Sequence, residues 1–206
     1  MFKRYFARAS NVLAETELAR LREGILNSEY LGPSPLGKEF VNSKGFSIVF
    51  RREWVDMVGR RFPYLRPFLD CALFEACNAF YINPLILEGS SRVDPHVDCR
   101  LIGDGDVRLI PNLVSILYVD VPCDVVGGNL VLNVGSESEV VVQPKRNEII
   151  HFLGNLVHAV TELRTSCMRM SVVCEQYNLA DDSIVHFPAF SVLTDCRTTP
   201  RATVTT

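Results

Sequence analysis

The chain has 206 residues, 21 basic and 24 acidic side chains, a net charge of −3, and 48% hydrophobic against 22% charged residues. At ~150 residues per domain this is about one domain with the balance of an ordinary globular protein, which excludes a disordered tail, a collagen-like fibre and a coiled coil. No strong basic field exists to hold a phosphate backbone, so a nucleic-acid partner is disfavoured.

The opening MFKRYFARAS is basic but lacks the apolar run of a secretory signal. Leu13, Leu18, Leu21 and Ile25 recur at helical spacing, which predicts a helix over 11–26 capped by Ser10 or Asn11. Leu31-Gly-Pro-Ser-Pro-Leu-Gly37 reads as a loop and 46–50 as a short strand. Residues 54–61 and 65–77 read as helices parted near Pro63, with Pro67 in a first turn where its missing N–H costs little.

From Ala79 the pattern becomes short, β-branched and aromatic-rich. Strands are expected at 80–87, 113–119, 129–134, 139–142, 148–153, 157–163 and 168–176. Turn signals part them at Gly103-Asp-Gly105, Gly127-Gly128, Asn133-Val-Gly135, Pro144-Lys-Arg-Asn147 and Gly154-Asn155. The expected fold is mainly β with flanking helices: a sandwich or jelly roll, with a helical front over 1–78 and a strand-rich core over 79–180. One domain spans 1–196, and a polar tail, 197–206, is expected to be loose.

No run approaches the ~20 apolar residues that a membrane-crossing helix needs. The seven cysteines (Cys71, Cys77, Cys99, Cys123, Cys167, Cys174 and Cys196) include no CxxC pair, and most stand in apolar runs. They read as reduced, buried thiols of a cytoplasmic protein and not as a zinc site.

Chemistry concentrates around two of the four histidines. In Asp94-Pro-His96-Val-Asp98, His96 and Asp98 are two apart, and on a strand both point to one face. His158 stands on another strand-like run. Two imidazoles and one carboxylate form the facial triad of non-heme iron(II) enzymes, which leaves three positions open at the metal. Arg169 then interrupts an apolar strand, with Ser171 on the same face. A buried Arg needs a partner, and its fork suits the distal carboxylate of a dicarboxylic co-substrate or a nearby acid such as Glu162 or Glu175. Arg92, Asp94 and Arg100 flank the motif at the mouth of a barrel, either as a solvated rim or as residues able to select a charged substrate. His151 reads as core and His186 as a surface loop residue. Gly103-Asp-Gly-Asp106 lacks the later ligands of a calcium loop and reads as a turn.

In order, these motifs resemble the Fe(II)/2-oxoglutarate-dependent dioxygenases, and within them the prolyl-4-hydroxylase-like branch. The resemblance covers residues 80–177 and includes Ser115-Ile-Leu-Tyr118-Val-Asp120, the Gly127-Gly-Asn-Leu130 turn and Phe152 six residues before His158. It implies a double-stranded β-helix (jelly-roll) core. It further implies Fe(II) on His96, Asp98 and His158, and 2-oxoglutarate bound through Arg169, Tyr118 and Ser171. O2 would be the oxidant, with ascorbate in support. The implied reaction hydroxylates an unactivated C–H of an amino acid, a prolyl peptide or another small molecule, with release of succinate and CO2. Asp98 stands where halogenating relatives carry a small residue, which favours hydroxylation. Leu87-Glu-Gly89 replaces the branch's Tyr-x-Gly step, and Arg164 is a competitor for Arg169 without the RxS context. The alternative reading is a non-catalytic jelly-roll module that binds a sugar or peptide, since fold does not fix function. A cupin-type metalloenzyme would show more histidine ligands. Oligomeric state is not legible.

Overall fold

The computed structural model describes residues 5–102, 107–164 and 167–194. Strand β1 (Phe6–Ser10) precedes helix α1 (Glu15–Leu26), which buries Leu18, Leu21 and Ile25 along one stripe. The helix does not start at Ser10 or Asn11. The Glu17 carboxylate accepts the Ala14 N–H at 2.9 Å and closes the first turn. Asn11 instead extends the ladder of β1, its N–H donating to the Asn147 carbonyl at 2.7 Å.

Strands β2 (Gly32–Pro33), β3 (Phe40–Gly45) and β4 (Ser47–Arg51) follow, then helices α2 (Val55–Arg61) and α3 (Arg66–Ala72). A 3-10 turn beginning at Pro63 parts the two helices, and Pro67 sits in the first turn of α3. β4 matches the strand expected at 46–50, but the front also carries β1 to β3, and α3 stops at Ala72 instead of continuing to Cys77.

The core strands are β5 (Ala79–His96), β6 (Arg100–Ile102), β7 (Val107–Leu109), β8 (Leu113–Asp120) and β9 (Leu130–Leu132). Then come β10 (Val140–Val142), β11 (Glu148–Leu153), β12 (His158–Val160) and β13 (Arg169–Tyr177). A short helix α4 (Asp181–Ile184) leads to β14 (Phe190–Leu193), which pairs with β4. The hairpin β6–β7 was not expected from the sequence. The turn read at Gly103–Asp106 lies outside the described residues, as do Cys196 and the tail 197–206.

One curled sheet runs β1-β11-β8-β13-β5-β12-β9-β10. β5 is 18 residues long and serves both layers. Its residues 79–87 pair with β13, and its far end pairs with β12. Inward side chains of β8 and β11, among them Ile116, Tyr118 and Ile150, pack against Leu130, Leu132 and Val142 of β9 and β10. The two layers thus face each other as a jelly roll. The opposite face of β5, β8 and β13 (Phe80, Ile82, Leu117, Met170 and Val172) is sealed by Leu21, Ile25, Leu65 and Phe68 of the helical segment. Each fully buried side chain of this kind contributes roughly 1.5–3 kcal/mol.

Among the described cysteines only Cys77 and Cys174 are buried, while Cys71, Cys99, Cys123 and Cys167 are exposed. Standing near apolar runs did not bury them: Cys71 is on the exposed side of α3, and Cys99, Cys123 and Cys167 lie in the connections between strands. No helix among the described residues is long and apolar enough to cross a membrane.

Candidate functional site

His96 is the last residue of β5. Val93 lines the interior cavity, so strict alternation would leave His96 on the outer face. A bulge reverses this: β5 advances from Val93 to His96 while β12 moves only from Val160 to His158. Pro95, with no N–H to offer the ladder, sits in that bulge. His96 therefore turns inward. Asp98 arrives from beyond the strand end, not from the same face of one strand as the spacing alone implies.

His158 opens β12 directly opposite His96, their ring centroids 4.4 Å apart. His96 Nε2 lies 3.4 Å from Asp98 Oδ1, and His158 Nε2 lies 3.6 Å from Asp98 Oδ2. Ligand atoms of the three residues fall within 4.8 Å of one another. Both imidazoles are fixed in the same way. Nδ1 of His96 donates to the Asp94 carbonyl at 2.9 Å, and Nδ1 of His158 to the Leu156 carbonyl at 3.1 Å. That tautomer leaves a lone pair on each Nε2. Ring edges contact both, Phe40 with His96 at 5.1 Å and Phe152 with His158 at 5.0 Å.

The buried Nε2 of His96 makes no hydrogen bond. Two imidazole nitrogens and a carboxylate, pre-oriented and desolvated, are the donor set of a divalent transition-metal site, and these residues fit such an ion. Burial opposes protonation of His96, but the nearby Asp98 carboxylate, with the Asp94 carbonyl and Glu39, outweighs it and holds the pKa above its usual value. At His158 burial prevails over Asp98, and the pKa falls below the usual value.

Arg169 opens β13 on the inward face and is 2% exposed. Its Nε and Nη1 have no hydrogen-bond partner, and neither does the buried Tyr118 hydroxyl. The guanidinium carbon sits 4.7 Å from the centre of the Tyr118 ring. Burial pushes the Arg169 pKa down, and burial also pushes that of Tyr118 up. Neither Glu162, which is exposed, nor Glu175 neutralises Arg169. Glu175 lies further along β13 and accepts the Tyr177 hydroxyl. Ser171 shares the inward face and lines the same cavity as Arg169 and the His-Asp-His cluster. The double glycine makes room for this arrangement. Gly128 has φ +65°, and a Cβ there would stand 3.4 Å from Arg169 Cδ and 3.0 Å from Leu163 Cδ1.

The structure thus brings together His96, Asp98, His158, Arg169, Tyr118 and Ser171. It does not bring Arg92 and Asp94 to the cavity. They flank inward Val93, point to the other face, and pair with each other at 2.8 Å while nearly half exposed. The side chain of Arg100 lies outside the described residues. Arg164 is exposed. His151 lies on the helix-facing side of β11, with its Nδ1 2.8 Å from Ser115 Oγ. Sequence reasoning missed the bulge, for which Pro95 was the signal. It also missed Asn83, which lines the cavity and whose Oδ1 accepts the Ser47 hydroxyl at 2.5 Å. Glu148 was missed too, although an acid at an inward position of an apolar strand is the same signal that singled out Arg169.

No protein-family model and no curated protein matches the chain. Solved structures do match. A prolyl-4-hydroxylase from Pseudomonas putida aligns over 85% of this chain and 94% of its own, at 18% identity and a TM-score of 0.57. A prolyl hydroxylase from Trichoplax adhaerens, in complex with a hypoxia inducible factor peptide fragment, aligns over 84% of each chain at 14% identity and a TM-score of 0.59. A non-heme α-ketoglutarate-dependent carbocyclase of nogalamycin biosynthesis aligns over 92% of each chain at 15% identity and a TM-score of 0.56. The fold is that of the 2-oxoglutarate oxygenases. At these identities the likeness establishes architecture, and the oxygenase fold carries more than one reaction among these neighbours.

Proposed function

We propose that the chain is an Fe(II)- and 2-oxoglutarate-dependent oxygenase that hydroxylates an unactivated C–H bond and releases succinate and CO2. The observation that carries this reading is the convergence of His96, Asp98 and His158 on the cavity that Arg169 also lines, with guanidinium N–H groups unpartnered. Removing Arg169 from water is costly unless an anion is to meet it there. A carboxylate on that fork, with the Tyr118 hydroxyl as a further donor and Ser171 alongside, would fix one end of an oxo-diacid. The triad would hold iron with three positions to spare for the other end of the co-substrate and for O2. Iron bound there would supply the oxidising chemistry. The chain's own part is to orient the ligands through the Asp94 and Leu156 carbonyls and to keep water out with apolar walls such as Leu85, Val93 and Ile116.

The substrate class proposed is an amino acid, a peptidyl proline or another small molecule, and the peptide held by the Trichoplax neighbour makes prolyl peptides the first to test. Residues 1–196 are proposed to act as one domain. The test is succinate formation from 2-oxoglutarate with Fe(II), ascorbate and a panel of prolyl peptides and free amino acids. Substrate-stimulated succinate release is expected. Failure of the protein to bind Fe(II) and 2-oxoglutarate at all rejects the reading.

A further inference from the structure

Glu148 opens β11 and points into the barrel. Alternation places it on the face of Ile150 and Phe152, which pack inside, and not on that of Ile149, which packs under the helices. It is 2% exposed. Its Oε1 accepts the Ser10 hydroxyl at 3.1 Å, while its Oε2 has no hydrogen-bond partner. Directly opposite in β8 stands Tyr118, whose buried hydroxyl is also unpartnered. Beyond the Tyr118 ring lies the Arg169 guanidinium. Burial raises the pKa of the phenol, Arg169 pulls it back, and the charge of Glu148 raises it further. Arg169 thus lies over the face of the phenol ring, and Glu148 stands opposite Tyr118 across the β8–β11 pair.

A phenol has a single proton to donate. Resting on the 2-oxoglutarate site proposed above, we propose that Glu148 competes with the co-substrate's distal carboxylate for the Tyr118 hydroxyl, and so weakens the site for diacids relative to 2-oxo acids with a neutral tail. Arg169 draws the diacid in, and Glu148 opposes it. Two carboxylates around one hydroxyl in a dry pocket repel with an effect of roughly tenfold in affinity. The apparent excess of buried polar groups is then a device that keeps co-substrate binding moderate and reversible.

Calorimetric titration of the Mn(II)-loaded full chain tests this, with 2-oxoglutarate and its neutral-tailed amide 2-oxoglutaramate as the two probes. Glu148→Gln is expected to bind 2-oxoglutarate about tenfold more tightly and to leave 2-oxoglutaramate within about twofold. Ser10→Ala, a second variant that leaves Glu148 in place, removes the hydroxyl that occupies Oε1. It is expected to weaken 2-oxoglutarate binding about two- to threefold, again sparing the amide. Unchanged or weaker 2-oxoglutarate binding in Glu148→Gln, or equal tightening for both probes, overturns the inference while the proposed function stands. A wild-type protein that binds neither probe in the presence of Mn(II) overturns both.

Discussion

The two faces of β13 are built from opposite kinds of side chain. Met170, Val172 and Cys174 point outward, are fully buried, and join the large core beneath the helices. Arg169, Ser171 and Glu175 point inward and are also buried, yet all are polar. Over residues 169–175 one backbone therefore presents an apolar surface that stabilises the fold and, Val173 apart, a polar one that loads it with desolvation cost. A protein selected for stability alone would not bury an unpaired guanidinium. The contrast implies that function and stability can be separated residue by residue along a single strand.

The strongest way to break that contrast is at the cluster facing the inner side. His158→Ala should lower metal affinity by more than the roughly 10–100-fold that losing a supporting partner costs, and should abolish turnover. Equilibrium binding of Mn(II) and an activity assay read this directly, and a variant that keeps wild-type affinity would contradict it. Next is Arg169→Met. It should raise the KM for 2-oxoglutarate by about 100-fold, because the anion loses its charged partner. In the ligand-free protein it should stabilise by roughly 1–3 kcal/mol, since a buried unpaired charge is removed. Denaturant melts and steady-state kinetics together show whether the two effects have opposite signs.

One residue along, Met170→Ala should do the reverse. Loss of a fully buried side chain costs about 2–5 kcal/mol of stability, and kcat/KM per folded molecule should stay unchanged. A comparable loss of catalytic efficiency would show that the two faces are coupled. The smallest effect belongs to Arg92→Ala. The Arg92–Asp94 pair is nearly half exposed, so stability should move by no more than about 0.5 kcal/mol. Turnover should stay within about twofold, and a larger loss in the activity assay would contradict their outward placement.

The inner face was legible because it breaks a pattern. Arg169 stands out on an apolar strand of period two, and the same period carries Ser171 to its side. β8, β11 and β13 were legible for the same reason: they are long and half or fully buried. The edge strands were not. β1 is mostly exposed, and β3 carries Asn42 and Lys44 among its residues, so neither has a hydrophobic rhythm to read. They are set by pairing with β11 and β5, which no local signal announces. The convergence of His96 and Asp98 was anticipated for an incomplete reason. The strand ends at His96, and the bulge around Pro95 turns the imidazole inward, a tertiary event that only the pairing with β12 discloses. The outward placement of Arg92 and Asp94 has the same origin. Burial of the cysteines was misjudged because an apolar neighbourhood in sequence does not say which way a thiol points.

A crystal structure of the protein with Mn(II) and 2-oxoglutarate tests the central claim most directly. The account predicts the metal on the Nε2 atoms of His96 and His158 and on the Asp98 carboxylate, with the distal carboxylate of the co-substrate against Arg169 and Tyr118. A metal bound elsewhere, or a diacid whose distal end lies away from Arg169, would contradict it.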